Sequence, residues 1–141
     1  MIKATLHTDG GARGNPGPAG IGAVLKIFAS AKAGEGEKEL LFKKYIGETT
    51  NNQAEYRALL LGLEKAKLEG VAELECYLDS ELVVKQLKRE YRVKDKDLAV
   101  LFVKVWNLMP EFKKISFHHI RREQNKLADQ LANEAMDDGQ K

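Results

Sequence analysis

The chain has 141 residues, 43% hydrophobic and 31% charged, with a formal net charge of +2 and one cysteine, Cys76. That length suits a single domain, 1–141, with a core large enough to need no disulfide or metal staple, and the composition excludes disorder. A lone cysteine excludes a disulfide framework and a cysteine-rich zinc site, no apolar run approaches a membrane span, and the start, Met1-Ile2-Lys3-Ala4-Thr5, has no secretory apolar region, so the expectation is a cytoplasmic protein with no membrane association.

Ile2–Asp9 alternates apolar and polar residues and predicts a strand. Gly10–Pro18 is rich in glycine and proline and predicts a loop. Ala19–Phe28 predicts a second strand, in which Gly20 and Gly22 imply close approach of another backbone. Ala29–Lys38 reads as a hairpin connection and Glu39–Ile46 as a third strand, giving an antiparallel meander.

After Gly47 the period changes. Ala54, Ala58, Leu59, Leu61, Leu63, Ala66 and Leu68 predict a helix over Asn52–Glu69, with Gly70 at the position just past its end. Ala72–Leu78 predicts a fourth strand and Ser80–Lys88 a second helix. A third helix over Asp97–Met109 stops at Pro110; Ile115–Ile120 predicts a fifth strand and Asn125–Met136 a last helix, with residues 137–141 fraying. Strands in a meander followed by strands alternating with helices imply an α/β fold: a five-stranded mixed sheet, strands four and five parallel to the first, flanked by helices. Cys76 reads as a small buried hydrophobe, His7 and His118 as sheet residues, and Trp106 as core.

The positive charge is segregated. Lys85, Lys88, Arg89, Arg92, Lys94 and Lys96 face only Glu90 and Asp95 within 85–96, and Lys113, Lys114, Arg121, Arg122 and Lys126 face only Glu123 within 113–126. The rest of the chain is net acidic, a pattern that fits a polyanion-contacting face beside an acidic pocket, and equally two solvated segments.

Four carboxylates fall where the topology brings element ends together. Asp9 closes the first strand and Asp79 the fourth, and parallel strands end on one rim of a sheet. Glu55 lies in the first turn of the first helix and Asp129 in the second turn of the last. Each has an ordinary alternative: Asp9-Gly10 is a turn pair, Asn52 to Glu55 fits a capping box, Asp79-Ser80 starts a helix, and Asp129 is a helical acid beside Lys126. Held in one pocket, four anions require cations, and oxygen-only ligands select hard ions such as Mg²⁺ or Mn²⁺. Two such ions about 4 Å apart suit phosphodiester hydrolysis.

The blocks Thr8-Asp9-Gly10-Gly11-Ala12-Arg13-Gly14-Asn15-Pro16-Gly17, Thr50-Asn51-Asn52-Gln53-Ala54-Glu55, Leu78-Asp79-Ser80 and Asn125-Lys126-Leu127-Ala128-Asp129 resemble the signature blocks of type 1 ribonuclease H, in order and over nearly the whole chain. The resemblance implies a five-stranded ribonuclease H fold that cuts the RNA strand of an RNA–DNA hybrid with two Mg²⁺ ions, Mn²⁺ substituting, leaving 5′-phosphate and 3′-hydroxyl ends. By position, Asp9 would bridge both ions, Asp129 would hold the ion that activates water, and Glu55 and Asp79 the other. Glu55 would also sense the 2′-hydroxyl beside the cut.

The resemblance further implies that Asn15, Asn51 and Gln53 reach minor-groove edges and 2′-hydroxyls, and that Thr50 contacts a DNA phosphate. Gly10 and Gly11 would let the backbone approach phosphate. For Asn15 the alternative is a turn residue before Pro16, and for Asn51 helix capping. His119 precedes Asn125 by the spacing of a mobile histidine in some relatives, but Ile120–Gln124 lacks their glycine-rich loop, and His119 reads rather as a polar residue ending the fifth strand.

Longer relatives insert a basic, tryptophan-containing protrusion after the second helix. Lys88–Asp97 is too short for it, although Lys88, Arg89, Arg92 and Lys94 could contact phosphates, and the expectation is that no hybrid-binding domain precedes Met1. These features imply weak, salt-sensitive substrate binding. No obligate protein partner is evident in the sequence, and a monomer is expected. Two other readings stand beside this one: another nuclease or strand-transfer enzyme of the same fold, and a non-catalytic hybrid-binding module.

Overall fold

The computed structural model describes residues 1–28 and 37–140. The elements are β1 (Lys3–Ala12), β2 (Gly17–Phe28), β3 (Glu37–Thr49), α1 (Asn51–Leu68), β4 (Glu73–Leu78), α2 (Glu81–Leu87), α3 (Lys96–Leu108), β5 (Lys114–His119) and α4 (Lys126–Gly139). They form one five-stranded sheet in the order β3-β2-β1-β4-β5. The β1–β2 and β2–β3 pairs are antiparallel; β1–β4 and β4–β5 are parallel. This is the mixed sheet that the element order predicts. Most of the expected connection between β2 and β3, 29–36, lies outside the described residues, as does Lys141.

The alternation in β1 sends Ala4, Leu6 and Thr8 to one face, where Leu74, Cys76, Leu78 and Phe117 join them under Tyr56, Leu59 and Leu63 of α1. Cys76 is fully buried. On the other face α4 lies across β2, and Gly20 and Gly22 make that possible: a Cβ at either would strike the backbone of α4, at Ala132 and Ala128 respectively. The close approach expected from these two glycines is that of a helix. His7, Tyr77 and His118 stack side by side across β1, β4 and β5 on the same face, with ring centroids 4.8 and 5.1 Å apart.

Several boundaries differ from the sequence reading. β1 does not end at Asp9 but runs to Ala12, because β2 continues beside it while β4 stops pairing at Thr8–Leu78. Asp9 therefore sits where β1 has lost one neighbour and kept the other. Thr50, rather than Asn52, caps α1, its hydroxyl oxygen accepting from the Gln53 N–H at 3.2 Å. The helix thus starts at Asn51, which puts Glu55 beyond the first turn and frees it from a capping box. Conversely, α4 starts at Lys126, so Asp129 is in its first turn, not its second.

The segment expected to fray continues α4 to Gly139. Arg13 holds it, pairing with Asp137 at 2.7 Å and donating to Gln140 at 2.6 Å. Trp106 is not core: it is 36% exposed. Leu98 and Val105 are the residues of α3 that the fold buries, and Trp106 instead packs between Phe102 and the Arg89 guanidinium on the surface. No helix among the described residues is long and apolar enough to cross a membrane.

Candidate active site

The carboxyl-terminal ends of β1 and β4, the amino-terminal part of α1 and the first turn of α4 surround a cleft of about 560 Å³, lined by Asp9, Glu55, Asp79 and Asp129 together with Arg13, Asn51, Ser80, Arg122 and Asn133. Asp9, Glu55 and Asp79 each offer an oxygen within 4.8 Å of the others'. Asp129 lines the same cleft outside this trio, and its charge acts on Asp9.

Local sequence accounts for each placement. Gly10 lets α1 press against β1, since a Cβ there would collide with the Ala54 backbone, and this brings Glu55 next to Asp9. The Gly10 N–H points at Glu55 Oε1 over a long 3.4 Å. Ser80 caps α2 by accepting from Val83 N–H, so that duty does not fall to Asp79. Asn133 donates to both the backbone oxygen and Oδ1 of Asp129, at 3.0 and 3.3 Å.

Burial dominates the electrostatics. It is the largest cause raising the Asp9 carboxyl from an ordinary 3.8 to about 7, with the neighbouring Glu55 carboxyl opposing the rise and the charges of Asp79 and Asp129 adding to it. Glu55 is raised well above its ordinary value, again first by burial and then by the charge of Asp9. Its Oε2 is buried with no hydrogen-bond partner among the described residues. A crowded, desolvated set of carboxylates with an orphaned oxygen is what a divalent cation would relieve.

The other expected site residues divide. Asn51 Oδ1 accepts from Ala12 N–H at 2.8 Å and Asn15 Oδ1 accepts from Asn51 N–H at 3.0 Å, tying the β1–β2 loop to the start of α1. Both side chains are exposed, and these bonds leave their amide NH₂ groups available. Gln53 is turned to Thr49, whose hydroxyl donates to Gln53 Oε1 at 2.6 Å. Thr50 uses its oxygen as the cap; a Cβ at Gly11 would meet only ordinary contacts, Asn51 Oδ1 at 3.9 Å and Met136 Cε at 4.0 Å, whereas at Gly10 α1 fills the space. His119 ends β5, exposed, and is not among the residues lining the cleft.

The sequence reading assigned no place at the site to Arg122, to Asn125 or to Asn133, which tethers Asp129. Arg122 lines the cleft, though its sequence context shows only a charge run. Asn125 is 2% exposed and its amide donates to the Thr8 carbonyl at 2.8 Å and to Asp79 Oδ2 at 2.9 Å. An asparagine heading a helix reads as a cap, yet the Asn125 side chain makes no capping bond.

Fold and cleft together define a class: an α/β protein with a carboxylate cluster of divalent-metal type at the strand-end rim of a mixed sheet. The family model described as "Reverse transcriptase-like" matches residues 7–135. Ribonuclease H of Erythrobacter litoralis is 34% identical, the alignment covering 97% of this chain and 98% of that protein. The bifunctional protein Rv2228c of Mycobacterium tuberculosis is 42% identical over 96% of this chain, but the chain spans only 36% of its length. Among solved structures, RNase H1 of Halobacterium salinarum superposes with a TM-score of 0.86 at 40% identity, covering 96% of this chain and 98% of that one. LC11-RNase H1, solved in complex with an RNA/DNA hybrid, gives a TM-score of 0.85 at 41% identity, covering 98% and 99%. The chain belongs to the ribonuclease H family, in its type 1 branch. It is a short form: Lys88–Asp95, which joins α2 to α3, carries no inserted helix.

Proposed function

We propose that the protein is an endoribonuclease that hydrolyses the RNA strand of RNA–DNA hybrids with two Mg²⁺ ions, Mn²⁺ substituting, and leaves 5′-phosphate and 3′-hydroxyl ends. The observation that carries the reading is the meeting of Asp9, Glu55 and Asp79 within 4.8 Å, with Asp129 beside them, in a cleft open to a polymer. The likeness to a type 1 enzyme solved with a hybrid supports the substrate.

The residues fit the cofactor. Their donors are all carboxylate oxygens, the chemistry of hard divalent ions, and Glu55 Oε2 has no other partner among the described residues. Asp9, Glu55, Asp79 and Asp129 would hold the ions, which when bound supply activation of water and stabilisation of the leaving oxygen. The protein's own contribution is placement. Asp9 stands at the centre, fixed by a strand held on one side only; Asp79 and Asp129 are each tethered by an asparagine amide. The amides of Asn15 and Asn51, left unused by their bonds to the backbone, would donate to minor-groove acceptors, and Glu55 would read a 2′-hydroxyl, which DNA lacks. Arg122, like Arg13, brings a cation to the carboxylate-lined cleft, where it would face a phosphate.

Incubating the purified protein with an end-labelled RNA–DNA hybrid, with and without Mg²⁺, tests the proposal. Metal-dependent fragments from the RNA strand alone are expected. Equal cutting when the ribonucleotides are replaced by deoxynucleotides would favour a DNA-acting enzyme of the same fold; hybrid binding with no cutting would favour a binding module.

A further inference from the structure

We propose that Asn125 is a positioning residue for the metal site: its side-chain amide ties β1 to the end of β4, and its backbone opens α4, which carries Asp129. Its two side-chain hydrogen bonds go to the carbonyl of Thr8, the residue before Asp9 in β1, and to Oδ2 of Asp79 at the end of β4. Its own backbone oxygen accepts from the Asp129 N–H at 3.1 Å and so opens α4. Asp9, through Thr8, and Asp79 are thereby referred to one buried side chain, and Asp129 to the backbone of the same residue. The inference rests on reading the cleft as a divalent-ion site.

Chemistry fixes the amide's orientation. A peptide carbonyl and a carboxylate only accept, so the NH₂ end must face both partners, and a flipped amide would set oxygen against two oxygens. The cost is visible: Asn125 Oδ1 is buried without a hydrogen-bond partner among the described residues. A purely structural strut at a helix start gains nothing from that arrangement, since the Asn125 side chain does not cap α4. What the arrangement does secure is the rotation of the Asp79 carboxylate, with Oδ2 engaged by the amide and the second oxygen not engaged by it. Asp79 is only half-buried at the cleft wall, so without this tether its carboxylate could turn toward solvent. Groups that orient a metal's ligands in this way commonly govern affinity by about 10–100-fold.

Calorimetric titration of Mn²⁺ into wild type, Asn125→Ala and Asp79→Asn provides the test. The Asn125→Ala variant is expected to raise the Mn²⁺ dissociation constant about 10–100-fold. In cleavage assays it should raise the Mg²⁺ concentration for half-maximal rate by the same factor, with the rate recovering at saturating Mg²⁺. An unchanged dissociation constant in a folded Asn125→Ala protein, with wild type binding and Asp79→Asn not, overturns this inference and leaves the site reading intact. Absence of Mn²⁺ binding by wild type overturns both. Should Asn125→Ala not fold, the wild-type protein suffices: the Asn125 side-chain amide resonance should shift during a Mg²⁺ titration and saturate with the calorimetric affinity, and a resonance that stays fixed while the site fills overturns the proposal.

Discussion

Replacing Asp9 by asparagine should stabilise the metal-free protein while destroying its activity. Burial holds the Asp9 carboxyl at about 7 against an ordinary 3.8. At about 1.4 kcal/mol per unit, keeping it ionised above neutral pH costs the metal-free fold on the order of 4 kcal/mol. An amide of the same shape carries no charge to desolvate, though its own polar atoms lose water at a cost of about 1–3 kcal/mol. A net gain of about 1–3 kcal/mol follows, which for a domain of this size raises the melting temperature by about 3 °C per kcal/mol. The same change removes the central ligand, and losing several kcal/mol of charge stabilisation in the transition state lowers the cleavage rate by about three orders of magnitude or more. Thermal melts in EDTA at about pH 8, paired with hybrid cleavage in Mg²⁺, read both effects. A lower melting temperature, or retained cleavage, would refute the reasoning.

The sign of the pH dependence follows from the same groups. Because the folded-state value of Asp9 is raised, its contribution to metal-free stability is complete below the ordinary carboxylate range and is lost as pH rises through about 7. A divalent ion binds the ionised form, so the melting-temperature increase caused by Mg²⁺ should grow over that window and level off above it; an increase that shrinks with rising pH contradicts the assignment. Gly10→Ala tests the close packing of α1 on β1: the added Cβ meets the Ala54 backbone, so Glu55 must move, and overpacking should cost about 1–3 kcal/mol in denaturant melts together with weaker Mn²⁺ binding. Unaltered metal affinity in that variant would show that Glu55 does not depend on this contact.

Much of this was legible in the sequence because the signals are periodic. Alternation marks β1, helical spacing marks α1, and the change between them after Gly47 implies a mixed sheet whose parallel strands carry Asp9 and Asp79 to one rim. What escaped depends on choices between residues of like chemistry. Thr50 and Asn52 can both cap a helix, and in the fold the Thr50 hydroxyl takes the Gln53 N–H while Asn51 is tied to Ala12 and Asn15. Trp106 is apolar in composition and exposed in fact, because α3 turns Leu98 and Val105 inward and has no second layer to cover its outer face. Asn125 was hidden for the opposite reason: a polar residue at a helix start suggests solvent, and its burial arises from β1, β4 and α4 converging, a tertiary fact no local pattern encodes.

Diffraction from crystals soaked in Mn²⁺, with data collected for anomalous scattering, tests the metal site most directly. The account predicts anomalous peaks within coordination distance of Asp9, Glu55 and Asp79, with Asp129 facing a second position that fills when hybrid is bound. Ordered Mn²⁺ elsewhere on the molecule, with the carboxylate cluster vacant at saturating metal, would contradict it.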